Sequence, residues 1–272
     1  ILFKFKNNKP IVCLTSYTAP IAKIADKYAD LVLVGDSVGT VLYDLSSTRE
    51  VNIEMMIRHG KAVVKNINKA ITVIDMPYGT YENDKFLAYE NAKRIVTETG
   101  ADAVKLEGGE KIFKTVSFLI NKGINVMGHI GLQPQSVHGS YKVYGKKKGE
   151  QTQILKDLFF LEDAGVFSVV IECTIQNLVK KVIKNSKVPI IGIGATPECN
   201  GQILVDNYPV YVLTAIPGEM NNRSDQFKLI ANYIGLDSST IHANYKKYFR
   251  GKFVPTRLAK DLGFFQLSNL EE

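Results

Sequence analysis

The sequence predicts a (β/α)₈ barrel, and three observations carry that prediction. Eight short apolar runs of strand length recur between residues 10 and 205, set among segments with the 3.6-residue period of helices. Runs such as Leu31-Val32-Leu33-Val34 are continuously apolar, as strands of a parallel sheet covered on both faces are. Glycines stand at helix-to-strand junctions, at Gly100, Gly123 and Gly165, where a C-cap is expected. An open doubly wound sheet is the alternative, but its G-x-G-x-x-G fingerprint after an early strand is missing.

In order, Pro10 to Leu14 forms the first strand and ends in Thr15-Ser16-Tyr17. Pro20 opens a helix on which Ile21, Ile24, Ala25 and Tyr28 share one apolar face. The second strand, Leu31 to Val34, stops at Gly35 and delivers Asp36. After a poorly patterned connection, Ile53 to Val64 reads as a helix with Ile53, Met56, Ile57, Gly60, Val63 and Val64 on one side. The third strand, Ile71 to Ile74, ends in Asp75-Met76-Pro77. A helix over about 84–99 leads to the strand Asp102 to Leu106 and then Glu107-Gly108-Gly109. The helix Lys111 to Lys122 precedes strand five, Ile124 to Met127, which ends in Gly128-His129. The helix Gln151 to Ala164 precedes strand six, Phe167 to Ile171, which ends in Glu172. Strand seven, Val188 to Ile191, runs into Gly192-Ile193-Gly194, either a close backbone approach to a ligand or a tight turn. Gln202 to Val205 is the eighth strand.

Composition narrows the class. With 272 residues, 45% of them hydrophobic, the chain can bury one large core. The reading is a single barrel domain over 1–272, with a divergent helical segment from about residue 207. No window of 18 apolar residues and no signal peptide is visible, so no membrane partner is expected. Cys13, Cys173 and Cys199 are an odd number without metal-ligand or redox spacing, which reads as reduced thiols in a cytoplasm. The net charge of +7 could mean an anionic partner, but the lysines are dispersed. Lys146-Lys147-Lys148 is one local basic cluster. In residues 245–252, Tyr245, Tyr248 and Phe249 fall at i, i+3, i+4, so packing is preferred to a nucleic-acid surface.

Strands two to six end in Asp36, Asp75, Glu107, His129 and Glu172. A closed parallel barrel gathers these at the mouth where such folds place ligands. Taken alone, Asp36 could simply cap the following helix; the recurrence speaks for a site. Lys105 joins the group, because residues two apart on a strand face the same way. Asp36 and Asp75 end neighbouring strands about 4.8 Å apart and can share one octahedral ion, so Mg²⁺ is the expected metal. Such an ion keeps positions for a bidentate 2-oxo acid and stabilises an enolate beside the keto group. Glu172 is then left as the base, with Lys105 and His129 as donors to substrate oxygens. A Schiff base on Lys105 is the competing chemistry. His59 and His242 read as packing or surface residues. Tyr17 and Tyr78 could line the mouth or pack, and His138 sits in a loop nearby.

At this point a family resemblance emerges. The segments Leu33-Val34-Gly35-Asp36-Ser37, Asp75-Met76-Pro77-Tyr78, Val104-Lys105-Leu106-Glu107-Gly108-Gly109, Gly128-His129-Ile130-Gly131-Leu132-Gln133-Pro134-Gln135-Ser136-Val137, Ile171-Glu172-Cys173 and Ile191-Gly192-Ile193-Gly194-Ala195 with Gly201-Gln202-Ile203-Leu204-Val205 resemble the 3-methyl-2-oxobutanoate hydroxymethyltransferases. The match is collinear over roughly residues 10 to 206. The resemblance implies a barrel of the phosphoenolpyruvate/pyruvate-binding type. It implies transfer of a one-carbon unit from 5,10-methylenetetrahydrofolate to 3-methyl-2-oxobutanoate, giving 2-dehydropantoate for pantothenate synthesis. It implies one Mg²⁺ per subunit on Asp36 and Asp75, with Glu107 a third, direct or water-mediated ligand, and Glu172 as base. Ser37 would contact the substrate carboxylate, and Lys105 and His129 the substrate oxygens. The resemblance also implies a homo-oligomer, commonly a decamer.

The sequence departs from the family pattern at Thr18, at Gly139-Ser140, at Thr196 after Gly194-Ala195, and at Asn200 between Cys199 and Gly201. None of these is a proposed metal ligand or base. Two other functions stay open: a different metal-dependent or Schiff-base aldolase or lyase for 2-oxo acids, and a non-catalytic barrel with a basic binding surface.

Overall fold

The structure, a computed structural model, describes residues 9–137, 142–205, 211–215, 220, 222–234, 236–249 and 256–262. The sequence reading treats 1–272 as one domain; the chain divides into two compact units, Ile1–Val205 and Asp206–Glu272.

The first unit is a closed barrel of eight parallel strands: β1 (Ile11–Thr15), β2 (Leu31–Val34), β3 (Ile71–Asp75), β4 (Ala103–Glu107), β5 (Val126–Gly131), β6 (Ser168–Glu172), β7 (Ile190–Ile193) and β8 (Gly201–Leu204). Strand β8 closes onto β1 in parallel register, Ile11 opposite Gly201. The helices are α1 (Ala19–Tyr28), the short α2 (Val38–Leu42), α3 (Ile53–Val64), α4 (Lys85–Thr99), α5 (Phe113–Asn121), α6 (Lys148–Ala164) and α7 (Gln176–Asn185).

Their ends follow local chemistry. Pro20 lies in the first turn of α1, and Asp84 caps α4 by accepting from the Phe86 amide at 2.8 Å. Gly100 and Gly165 close α4 and α6 at φ +80° and +94°, a left-handed conformation that glycine adopts without a Cβ penalty. Helix α3 buries Met56, Ile57, Gly60 and Val63, the face expected from its period.

Three expectations change. Helix α1 buries Ala22 and Ala25, whereas Ile21, Ile24 and Tyr28 are 40%, 55% and 71% exposed. Small side chains let this helix lie close to its neighbours, and the large apolar residues that set the period point away. Strand five runs through Gly128 rather than stopping there, so His129 lies inside β5. A Cβ on Gly128 would sit 2.6 Å from Leu161 of α6, so the glycine serves close helix packing rather than a stop. No helix lies between β7 and β8, only the connection 194–200.

Alternation along each strand sorts two cores. Val32, Val34, Ile74, Val104, Leu106, Val126, Ile130, Val169 and Ile171 point outward into the layer packed by the helices. Leu31, Leu33, Ile71, Val73, Ala103, Met127, Val170, Ile191 and Ile203 point inward, with Ile11, Cys13 and Phe167, and fill the lower barrel. The next inward positions up the strands are Asp75, Lys105, His129 and Glu172.

In the second unit β9 (Tyr211–Ala215) pairs antiparallel with β10 (Thr256–Leu262), alongside α8 (Arg223–Ile234) and α9 (Ser238–Tyr248). Phe227, Ala231, Ile241 and Leu258 form its small core, and Tyr245 packs against it. The segment expected to be helical thus also contains a two-stranded sheet. His242 bonds the Ser238 carbonyl at 2.9 Å and stacks edge-on against Phe227, a packing role. Arg250 to Lys252 of the basic stretch lie outside the described residues. Among the described residues no helix is long and apolar enough to cross a membrane.

Candidate active site

Register brings the expected groups together. Asp75 stands opposite Lys105 across β3 and β4, and Glu107 opposite His129 across β4 and β5. Lys105 Nζ lies 3.0 Å from Asp75 Oδ1, an ion pair without hydrogen-bond geometry. His129 Nδ1 is 3.5 Å from Glu107 Oε1, and its Nε2 is 3.2 Å from Glu172 Oε2. Asp36, just beyond β2, donates its backbone N–H to Asp75 Oδ2 at 3.0 Å. Helix α2, which follows, has Ser37 at its N-cap and no side-chain cap, so Asp36 is not a capping residue.

Burial sets the electrostatics. Desolvation raises the Asp36 carboxyl to about 8, and the neighbouring Asp75 and Glu107 push it the same way. Burial likewise raises Asp75, partly offset by Lys105. Desolvation alone would lower Lys105, but Asp75, Glu107 and Asp36 more than offset it and keep the ammonium charged. For His129, burial and Lys105 oppose the charged ring, while Glu107 and Glu172 win and raise it to about 9. The His129 ring thus lies between two glutamates, with Lys105 Nζ also 3.4 Å from its Nδ1. Glu172 is the open member of this ring: its side chain is 17% exposed, against 3% for Glu107 and 4% for Asp75.

Ser37 Oγ lies 2.7 Å from the Tyr17 hydroxyl, and Tyr17 is buried. His59 Nδ1 bonds the Tyr17 carbonyl at 2.7 Å and its Nε2 faces the Tyr43 hydroxyl at 2.9 Å. His59 thus braces the end of β1 rather than simply packing on a helix. Tyr78 is 40% exposed, with the Arg49 guanidinium over its ring, and is not part of the cluster. His138, Gly139 and Ser140 lie outside the described residues.

Two residues went unassigned in the sequence. Gln135, in the loop after β5, donates through Nε2 to Asp36 Oδ2 at 2.8 Å and to the Met76 carbonyl at 2.9 Å. Its backbone N–H donates to Glu107 Oε2 at 3.0 Å. Tyr81 donates its hydroxyl to Gln135 Oε1 at 2.6 Å and accepts from the Glu107 N–H at 3.2 Å. Gln135 stands within a quoted motif, but neither residue lies on a periodic element, so no pattern marks it.

The donor set suits a hard cation. Asp36 and Asp75 are adjacent, buried and oxygen-only, and Asp75 Oδ1 makes no hydrogen bond. Among the described residues no three His, Cys, Asp or Glu side chains converge on one ion. Asp36, Asp75 and Glu107 are thus not brought together as a three-ligand cage. Two aspartates leave most positions to water and substrate oxygens, as Mg²⁺ commonly requires.

A closed parallel barrel with a buried ring of acids and cations at the carboxyl ends of its strands defines an enzyme of the TIM-barrel class. Solved structures with the same fold include phosphonopyruvate hydrolase complexed with oxalate and Mg²⁺, at a TM-score of 0.59 and 10% identity, covering 75% of this chain and 78% of that one. 2,3-Dimethylmalate lyase, a member of the PEP mutase/isocitrate lyase superfamily, matches at a TM-score of 0.56 and 13% identity over 75% and 78% of the two chains. The sequence profile described as ketopantoate hydroxymethyltransferase matches residues 2–244, so the chain belongs to that family. The match runs past the quoted motifs, through α8 and into α9. A 3-methyl-2-oxobutanoate hydroxymethyltransferase of Rhizobium etli is 50% identical over 204 residues, 74% of this chain and 75% of the relative. One of Pelagibacter ubique is 50% identical over 202 residues, 74% and 78% of the two chains.

Proposed function

We propose that Glu172 is the base with which this hydroxymethyltransferase takes the C3 proton of 3-methyl-2-oxobutanoate, in the transfer that forms 2-dehydropantoate for pantothenate synthesis. The observation that carries this assignment is the exposure of Glu172: it alone among the acids of the ring measured above is open to an incoming molecule. The reading takes Mg²⁺ as the cation, held by Asp36 and Asp75, with Glu107 behind them on Gln135 and His129. When bound, the cation supplies Lewis-acid polarisation of the oxo acid's keto and carboxylate oxygens.

The chain's own groups do the rest. Glu172 accepts the proton from C3, and the charge left on the substrate falls toward the Lys105 ammonium. His129 Nε2 stands 3.2 Å from Glu172 Oε2, close enough to favour the carboxylate form of the base whenever the ring is protonated. Ser37, fixed by Tyr17, receives the substrate carboxylate. The new carbon comes from 5,10-methylenetetrahydrofolate; because that methylene carries no hydroxyl, the product's hydroxyl oxygen comes from water. The free cysteines fit a cytoplasmic protein, and the family expectation of a homo-oligomer, a decamer, is part of the same reading.

The Schiff-base alternative fares worse. An imine requires a neutral amine, and the Lys105 ammonium sits 3.0 Å from Asp75 with two further carboxylates raising its affinity for the proton. Proton NMR of 3-methyl-2-oxobutanoate in D₂O, with protein and Mg²⁺, tests the proposal. Loss of the C3 proton signal in the wild type and its persistence with Glu172→Gln is the expected result. Equal exchange in both would remove Glu172 from the role.

A further inference from the structure

We infer that Gln135, oriented by Tyr81, is a positioning residue that presents the Asp36 carboxylate to the cation. The inference rests on the cation reading above and concerns how the loop after β5 controls it.

Donor and acceptor logic fixes the amide. The Glu107 N–H can only donate, so the Tyr81 oxygen accepts from it at 3.2 Å. The single Tyr81 proton has two acceptors in reach, the Glu107 carbonyl at 3.4 Å and Gln135 at 2.6 Å, and the much shorter contact takes it, which makes the Gln135 atom Oε1. The amide nitrogen is left facing Asp36 Oδ2 and the Met76 carbonyl, at 2.8 and 2.9 Å, and both its protons are used. Every member of this relay is buried: Tyr81 and Gln135 at 2% exposure, Asp36 and Glu107 at 5%. Burial shields these bonds from bulk solvent, and a single missing donor leaves a buried polar atom unmatched.

The relay acts on one oxygen of each acid. Gln135 holds Asp36 Oδ2 and, through its backbone, Glu107 Oε2; the Asp36 backbone holds Asp75 Oδ2. The second oxygens face the other groups of the site: Asp75 Oδ1 has the Lys105 ammonium 3.0 Å away, and Glu107 Oε1 has His129 Nδ1 at 3.5 Å. Gln135 thus ties the ends of β2, β3 and β4 to the loop after β5. Without it the Asp36 carboxylate can turn about its own axis and present a different oxygen.

The test is Mn²⁺ binding to the purified full-length protein without substrates, read as free Mn²⁺ by EPR. Partners that orient ligands typically change affinity 10- to 100-fold. Gln135→Met should weaken binding by about that range and Tyr81→Phe by about tenfold. The double variant should be no weaker than Gln135→Met alone, because Tyr81 acts through Gln135. A KM for the oxo acid at saturating cation that stays at the wild-type value in Tyr81→Phe supports positioning. Wild-type Mn²⁺ affinity in Tyr81→Phe and Gln135→Met, with only a lower melting temperature, overturns the inference. An additive double variant also overturns it. Asp36→Asn separates the two levels. If it loses Mn²⁺ while Gln135→Met does not, the relay fails and the cation site stands; if Asp36→Asn binds normally, both fall.

Discussion

The lower and upper halves of the barrel interior are made by the same strands, two residues apart, yet they do opposite things. In β3 the inward series runs Ile71, Val73, Asp75; in β4, Ala103, Lys105, Glu107; in β5, Met127, His129; in β6, Val170, Glu172. Both halves are buried, apart from the partly open Glu172. The lower one gains from removing apolar surface from water, at about 25 cal/mol per Å². The upper one bears the desolvation of three acids, an ammonium and an imidazole ring, offset only by their mutual contacts. The difference teaches that this barrel is held together from below and does its chemistry with groups that weaken it from above.

Four variants test that division. The largest effect is expected for Glu172→Gln, which should slow C3 proton exchange by roughly 10² to 10⁴-fold while the melting temperature stays near the wild type. A matching loss of stability would mean that Glu172 is structural. Lys105→Met comes next. It strips the charge that faces Asp75, Glu107 and Asp36, and breaking a buried pair in this way costs about 3–5 kcal/mol. Asp36 and Asp75, already raised by burial, then bind protons still more tightly folded than unfolded, so stability is present at low pH and lost as pH rises through their folded values. Denaturant unfolding should therefore show a larger deficit near about pH 8 than near about pH 5.

Leu33→Ala removes a lower-layer side chain and should cost about 3 kcal/mol, with exchange kinetics changed little. A large kinetic effect would show that the two halves are coupled. The smallest effect belongs to Asp157 of α6, a buried carboxyl outside the ring. Burial raises it, and both its donors, the Glu110 N–H and Gln153 Nε2, use Oδ1. Asp157→Asn keeps that oxygen. The acid's contribution is present below its unfolded value and is lost as pH rises through the raised folded one. The variant should therefore gain a few degrees over the wild type at neutral pH and nothing in acid, as thermal melts at both would show.

The strand-end acids were legible because a strand is a simple rule: an apolar run, a glycine or polar stop, and one face per two residues. That rule also placed Lys105 with Glu107. It failed where size rather than polarity decides packing, as at Ala22 and Ala25 of α1 and at Gly128 inside β5. It had nothing to say about Gln135 and Tyr81, whose roles depend on which distant donors meet them. The second glycine of Glu107-Gly108-Gly109 belongs to the same category. A Cβ there would fall 2.3 Å from Asp157 Cβ, so Gly109 is a contact with α6 that only the folded chain reveals.

The β1–β8 seam has a consequence in time. Most barrel pairings join neighbours in sequence, but Ile11 meets Gly201 only after nearly the whole unit has been made. Closing so long a loop is entropically slow, and until it closes both edge strands expose unpaired backbone. During synthesis β1 leaves the ribosome first and waits for its partner longest. The last pairing to form is thus a seam that carries none of the acids.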